Sequence, residues 1–202
     1  MTSISTVDIA KISLEIQSPS DKDYIDLAKE IKECFENIGF MYLSNHGISQ
    51  DIIDNAMKAS LQFFRSKDEI KKSVAKGSEY QGWVEQGREK FDQDENGVIA
   101  ELEVRETYDM KNISSAGIFP DKDCPELREG LTTISTAASQ LSSRLLKSIS
   151  ICLGRDLDFL EGVHRGMLSE GKEGAVGNAT TLRSIHYPPI SDELAGKPTI
   201  IR

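Results

Sequence analysis

Asn178-Ala179-Thr180-Thr181-Leu182-Arg183-Ser184-Ile185-His186-Tyr187-Pro188-Pro189 is the stretch on which the fold turns. From Thr181 to Tyr187 apolar and polar residues alternate with a period of two, the pattern of a half-buried strand. Pro188 and Pro189 close it, because proline cannot donate to a ladder. On such a strand Arg183, Ile185 and Tyr187 share one face, and His186 falls on the other, where the expectation is a packing role.

Upstream, the chain alternates helical and extended signals. Val7-Asp8-Ile9-Ala10 reads as a first strand. Ser20 caps a helix with Asp23 three residues on, and Tyr24, Leu27, Ala28, Ile31, Cys34, Phe35 and Ile38 mark its apolar face up to a stop at Gly39. Phe40-Met41-Tyr42-Leu43 is a second strand, Asn45-His46-Gly47 a turn, and Ser49 the cap of a helix with Ile52, Ile53, Ala56, Met57, Leu61 and Phe64 inward. From Lys76 to Gly97 periodicity is lost in a long, charged, glycine-containing loop that holds Trp83, the only tryptophan, which either lines a mouth or pins the loop to the core. A strand over Glu101 to Met110 follows. Leu127, Leu131, Ile134, Ala138, Leu141, Leu145 and Ile149 then mark a long helix ending near Gly154, with a short helix over Asp156 to Val163 and a glycine-rich connection from Gly166 to Gly177.

The 202 residues suffice for one domain at about 150 residues each. A hydrophobic share of 38% against 28% charged residues is that of a globular chain. The net charge of −9 argues against nucleic acid or an anionic membrane as partner, since both need clustered Lys and Arg. Lys71-Lys72 stands beside Asp68 and Glu69, a mixed patch. Three widely spaced cysteines fit neither a disulfide framework nor a zinc site, and no stretch approaches the ~20 apolar residues of a membrane span. The expected location is cytoplasmic. Lys197 to Arg202 has the character of a strand just beginning, so the expectation is a chain that ends in mid-domain.

Several segments, in order, carry a family likeness: Val7-Asp8-Ile9, Gly39-Phe40-Met41-Tyr42-Leu43-Ser44-Asn45-His46-Gly47, Phe63-Phe64, Tyr80-Gln81-Gly82-Trp83, Arg105-Glu106-Thr107-Tyr108-Asp109 and the strand ending in Tyr187-Pro188-Pro189. Together they resemble the isopenicillin N synthase-like branch of the iron(II)- and 2-oxoglutarate-dependent oxygenases. The resemblance implies an α+β fold, with N-terminal helices and strands flanking an incomplete double-stranded β-helix (jelly-roll) barrel. It divides the chain into an N-terminal region, 1–110, and a long helix with the first barrel strands, 111–202. It implies Fe(II), 2-oxoglutarate and O2 as the means of hydroxylating or desaturating a small-molecule substrate. In that family the tyrosine before this proline helps hold 2-oxoglutarate, which assigns Tyr187 to cofactor binding, and the position four residues earlier, Arg183, to substrate. Many relatives carry Asn where Ile185 stands.

No iron triad is legible, because non-haem iron takes two His and a carboxylate, usually with the acid two residues after the first His. Ile48, Gly166 and Pro188 occupy that position after His46, His164 and His186. His46, in a turn beside glycine, is expected to bond its own backbone surroundings. Gly166 to Glu173 is a near miss for a phosphate loop, with Glu173 where a magnesium-binding hydroxyl should stand. The competing reading is a non-catalytic interaction module whose exposed strand edges take a partner strand.

Overall fold

Burial of apolar faces selects the elements that form. The structure, a computed structural model, describes residues 3–77, 81–87, 102–111, 118–164, 180–189 and 199–200. The expected connection from Gly166 to Gly177, with its phosphate-loop near miss, and most of the Lys76 to Gly97 loop lie outside the described residues. The chain divides into two compact units, Met1–Ile53 with Thr133–Asn178, and Asp54–Thr132 with Ala179–Arg202. They interleave in sequence, whereas a division at residue 110 is one of chain order.

In the first unit, β1 (Thr6–Asp8) pairs in parallel with β2 (Tyr42–Ser44), Val7 opposite Leu43. Between them runs α1 (Asp21–Asn37). Its start is held as the capping box requires: the Asp23 carboxylate accepts from the Ser20 backbone N–H at 2.9 Å and from its hydroxyl at 2.6 Å. Tyr24, Leu27, Ala28 and Ile31 are buried on its inner face among Val7, Ile9, Ile12 and Leu141. Burial of each large apolar side chain there is worth about 1.5–3 kcal/mol. Phe35, expected on that face, is exposed, while its neighbour Cys34 is the residue of the last turn that packs on the core. The second strand starts at Tyr42 rather than Phe40, since ladder pairing begins at Thr6 and leaves Phe40 outside it.

The second unit holds most of α2 (Gln50–Phe64), with α3 (Asp68–Ser73), a three-stranded sheet in the order β3 (Gly82–Val84), β5 (Glu106–Lys111), β6 (Thr181–His186), and a two-stranded parallel pair of β4 (Leu102–Glu103) with β7 (Thr199–Ile200). Both neighbours of β5 run antiparallel to it. The inner face of α2 is Ala56, Ala59, Ser60, Phe63 and Phe64, while Met57 is 68% exposed. Of the expected stripe, Ala56 and Phe64 are buried, whereas Met57 and Leu61 lie outside and Ala59, Ser60 and Phe63 take the inner positions. The reason is close helix approach: a Cβ on Gly130 would lie 3.2 Å from both Ala56 Cα and Ala59 Cβ, so small residues rather than Met form the contact. Gly130 belongs to α4 (Pro125–Cys152), whose Leu127 and Leu131 close this core with Phe63, Tyr108 and Phe119. α5 (Phe159–Val163) follows α4.

Two glycines at helix and turn ends differ in a testable way. Gly39 (φ +80°) would place a Cβ in open space, whereas at Gly47 (φ +78°) it would meet the Leu14 and Glu15 backbone nitrogens at 2.7 and 2.9 Å. Gly39→Ala should cost about 1–2 kcal/mol from the left-handed backbone alone. Gly47→Ala should cost about 3 kcal/mol or more, since overpacking is added. Urea denaturation of both variants checks this, and equal losses would contradict the close approach of the turn to residues 14 and 15.

Candidate functional site

β5 is the centre of the site because it carries two buried carboxylates. Glu106, Thr107, Tyr108, Asp109 and Met110 are each at most 5% exposed. Three residues apart on a strand, Glu106 and Asp109 point to opposite faces. Register then decides their partners: Glu106 stands opposite His186, and Asp109 opposite Arg183.

On one face Glu106 Oε1 meets His186 Nδ1 at 2.9 Å, while Oε2 accepts from Trp83 Nε1 at 2.8 Å and from Lys71 Nζ at 3.1 Å. Lys71 also lies over the Trp83 ring, 5.1 Å from its centroid, and the His186 ring stacks on Phe64 at 5.2 Å. Both oxygens of this carboxylate are engaged. Trp83 is therefore the pin of its loop and sits in a strand, β3, within the stretch expected to be loop. His186 lies on the face away from Arg183 and Tyr187, packed as expected, but it also holds an acid that a pure packing role omits.

On the other face Arg183 clasps Asp109 with both prongs, Nε to Oδ1 at 2.7 Å and Nη2 to Oδ2 at 2.8 Å, and Lys76 Nζ reaches Oδ2 at 2.6 Å. Burial pushes the Asp109 carboxyl up, yet the hydrogen bonds from Arg183 and Lys76, with their charges, outweigh it and hold the group below the usual carboxylate range. Beyond this clasp the face opens. Ile185 and Tyr187 are each 43% exposed.

The histidines are otherwise engaged. His46 Nδ1 accepts from the Ile48 backbone N–H at 3.0 Å, the local bond its turn implied, and His164 Nδ1 lies 2.9 Å from the Leu160 carbonyl. Among the described residues no three His, Cys, Asp or Glu side chains converge as metal ligands. These residues do not fit an iron centre. No helix among them is long and apolar enough to cross a membrane.

The family model of the N-terminal region of a non-haem dioxygenase in morphine synthesis matches residues 4–127. The chain belongs to this dioxygenase family. A 2-oxoglutarate-dependent dioxygenase of Didymella fabae is 22% identical over 97% of this chain and 60% of its own length. A 1-aminocyclopropane-1-carboxylate oxidase of Dictyostelium discoideum is 26% identical over 76% of this chain and 45% of its own. The chain thus spans about half the length of the curated relatives it matches. Among solved structures, a full-length Neurospora crassa protein in complex with alpha-KG superposes with a TM-score of 0.69 at 22% identity, over 95% of this chain and 56% of that one. A 2OG-Fe(II) oxygenase family protein from Caulobacter crescentus gives 0.69 at 21%, over 94% and 58%. At such identity the likeness is one of fold, and the chain's mixed helix-and-strand architecture agrees with it.

Sequence reasoning quoted Glu106 and Asp109 only as a landmark and Lys71 only as part of a mixed patch. The available signal was complementary spacing: Glu-x-x-Asp on one strand and Arg-x-x-His on another pair acid with base throughout when run antiparallel. Asp109 also yields a pH prediction. Its folded pKa is depressed, so its stabilisation is present above the unfolded value near 3.9 and is lost as pH falls through the folded one. Asp109→Asn should cost about 3–5 kcal/mol near neutrality, the scale of breaking a buried pair. Below about pH 4 the variant's deficit should shrink. Denaturant midpoints from pH 7 to pH 2 check both, and a deficit that stays constant would remove Asp109 as the acid-labile group.

Proposed function

We propose that the chain forms the N-terminal part of an Fe(II)- and 2-oxoglutarate-dependent dioxygenase that hydroxylates or desaturates a small molecule. The observation that carries this reading is the open face of β6, bearing Arg183 and Ile185 on a strand tied to β5 by a charged register, with the half-exposed Tyr187 directly after the strand's last residue, His186. The hydroxyl of the half-exposed Tyr187, without a hydrogen-bond partner among the described residues, would donate to a carboxylate of 2-oxoglutarate. Arg183, oriented by Asp109, borders the same face and is assigned to substrate. Ile185 adds an apolar wall between them.

In this reading the metal ligands belong to the part of the relatives' length that this chain does not span. Iron held there would, with 2-oxoglutarate and O2, supply the oxidant. This chain's own contribution is to hold the cosubstrate end in place and to keep one wall of the site apolar. The Neurospora crassa structure that also contains thymine offers a small-molecule precedent within the same fold. The three cysteines are all free thiols, which fits a cytoplasmic enzyme.

Anaerobic Fe(II) titration and succinate release test the reading on two lengths. Residues 1–202 alone should bind no Fe(II) tightly and release no succinate. A version extended through the downstream coding sequence should do both, and its Tyr187→Phe variant should bind 2-oxoglutarate more weakly by about 0.5–1.5 kcal/mol, one net hydrogen bond. An inert long form, or turnover by the short one, would overturn the assignment; a gene that stops after codon 202 would favour the interaction module.

A further inference from the structure

A polar hollow of about 560 Å³ in the first unit lies between the start of α1 and the middle of α4. Its size is that of a small-molecule site, within the roughly 300–1,000 Å³ such sites occupy. Four observations give it a chemistry.

Tyr24 borders it and is only 5% exposed. Its ring is packed away while its hydroxyl, which has no hydrogen-bond partner among the described residues and is not one of their buried unpartnered polar atoms, stays accessible at the hollow. Burial pushes the phenol up, and the charges of Lys147 and then Arg144 pull against it, so both cations bear on this group. Arg144 is held from behind: its Nη1 donates to the carbonyls of Ile12 and Ser13. Its Nε and Nη2 have no protein partner among the described residues, which leaves a fixed donor edge of the kind that takes a carboxylate.

Lys147 is already saturated, by Asp158 at 2.7 Å and Glu161 at 3.2 Å, and adds no unspent charge. Asp21, on the same rim in the first turn of α1, has no side-chain partner among the described residues. The lining therefore balances two cations, Arg144 and Lys147, against two carboxylates, Asp21 and Glu161. A simple anion would meet Asp21 and Glu161, and a simple cation would meet Arg144. A molecule carrying both charges satisfies both ends.

We propose that this hollow binds a small zwitterion of α-amino-acid build, its carboxylate on Arg144 and the Tyr24 hydroxyl and its ammonium on Asp21. The site is independent of the open face of β6 and of any reaction there. Calorimetric titration of glycine, L-glutamine and L-glutamate into the 202-residue protein, against acetate and methylamine, tests it. Saturable binding of an amino acid, tighter than that of either half-molecule, is expected. Tyr24→Phe should weaken it about 3- to 10-fold, the scale of one hydrogen bond, with an unchanged or higher unfolding midpoint because the lost hydroxyl had no protein partner. Asp21→Asn should weaken it up to about 5-fold, as for an exposed ion pair. No saturable binding of any of the three amino acids would overturn the proposal. So would acetate binding as tightly as they do, or affinity that both variants leave unchanged.

Discussion

The pairing of Glu106 and Asp109 with His186 and Arg183 is the constraint on which the second unit depends. Two carboxylates inside a strand are costly, since each loses its water and is tolerated only with full hydrogen bonding. Here that requirement recruits four separate segments. Lys71 comes from α3, Lys76 from the residues after it, Trp83 from β3, and the two bases from β6, far away in sequence. None of these elements is large enough to bury itself. The acids on β5 give each one a specific place.

Register follows from the same pairing. Side chains on a strand alternate with a period of two, so a slip of one residue would invert every face of β6. Leu182 would leave the core around Met110, and Arg183 would enter it. Apolar burial alone opposes such a slip on one face only. Charge opposes it on both, because Glu106 and Asp109 lie on opposite sides and each would face the wrong neighbour.

How much of this was legible depended on range. Local rules located α1 through the Ser20–Asp23 box and the stop at Gly39, found α4 from its periodic leucines, and identified the β6 alternation, because each rests on residues within one or two turns of one another. The His46 turn bond was legible for the same reason. What escaped was set at long range. β3 is three residues whose strand character comes from pairing with β5, more than twenty positions on. On α2, Ala56 and Phe64 were legible but Met57 was wrongly set inward, because Gly130, over seventy positions away, makes alanines better neighbours than methionine. At the candidate site, Arg183 and Ile185 were legible as a shared face of β6, which ends one residue short of the expected Tyr187, but the acid that orients Arg183 could be chosen only once the register was known.

The two faces of the sheet therefore do different work. On the Glu106 side aromatic rings and three donors engage both carboxylate oxygens, and Phe64 covers His186; that face is closed and serves the core. On the Asp109 side the carboxylate sits at the base of an arginine whose side chain remains one-third exposed, next to Ile185 and Tyr187. A guanidinium held in a two-pronged clasp loses little further entropy when a ligand arrives, which is the physical condition for a group that orients rather than gropes. The strand that leads to Tyr187 is thus held on one face by the Arg183–Asp109 pair and on the other by the buried Glu106.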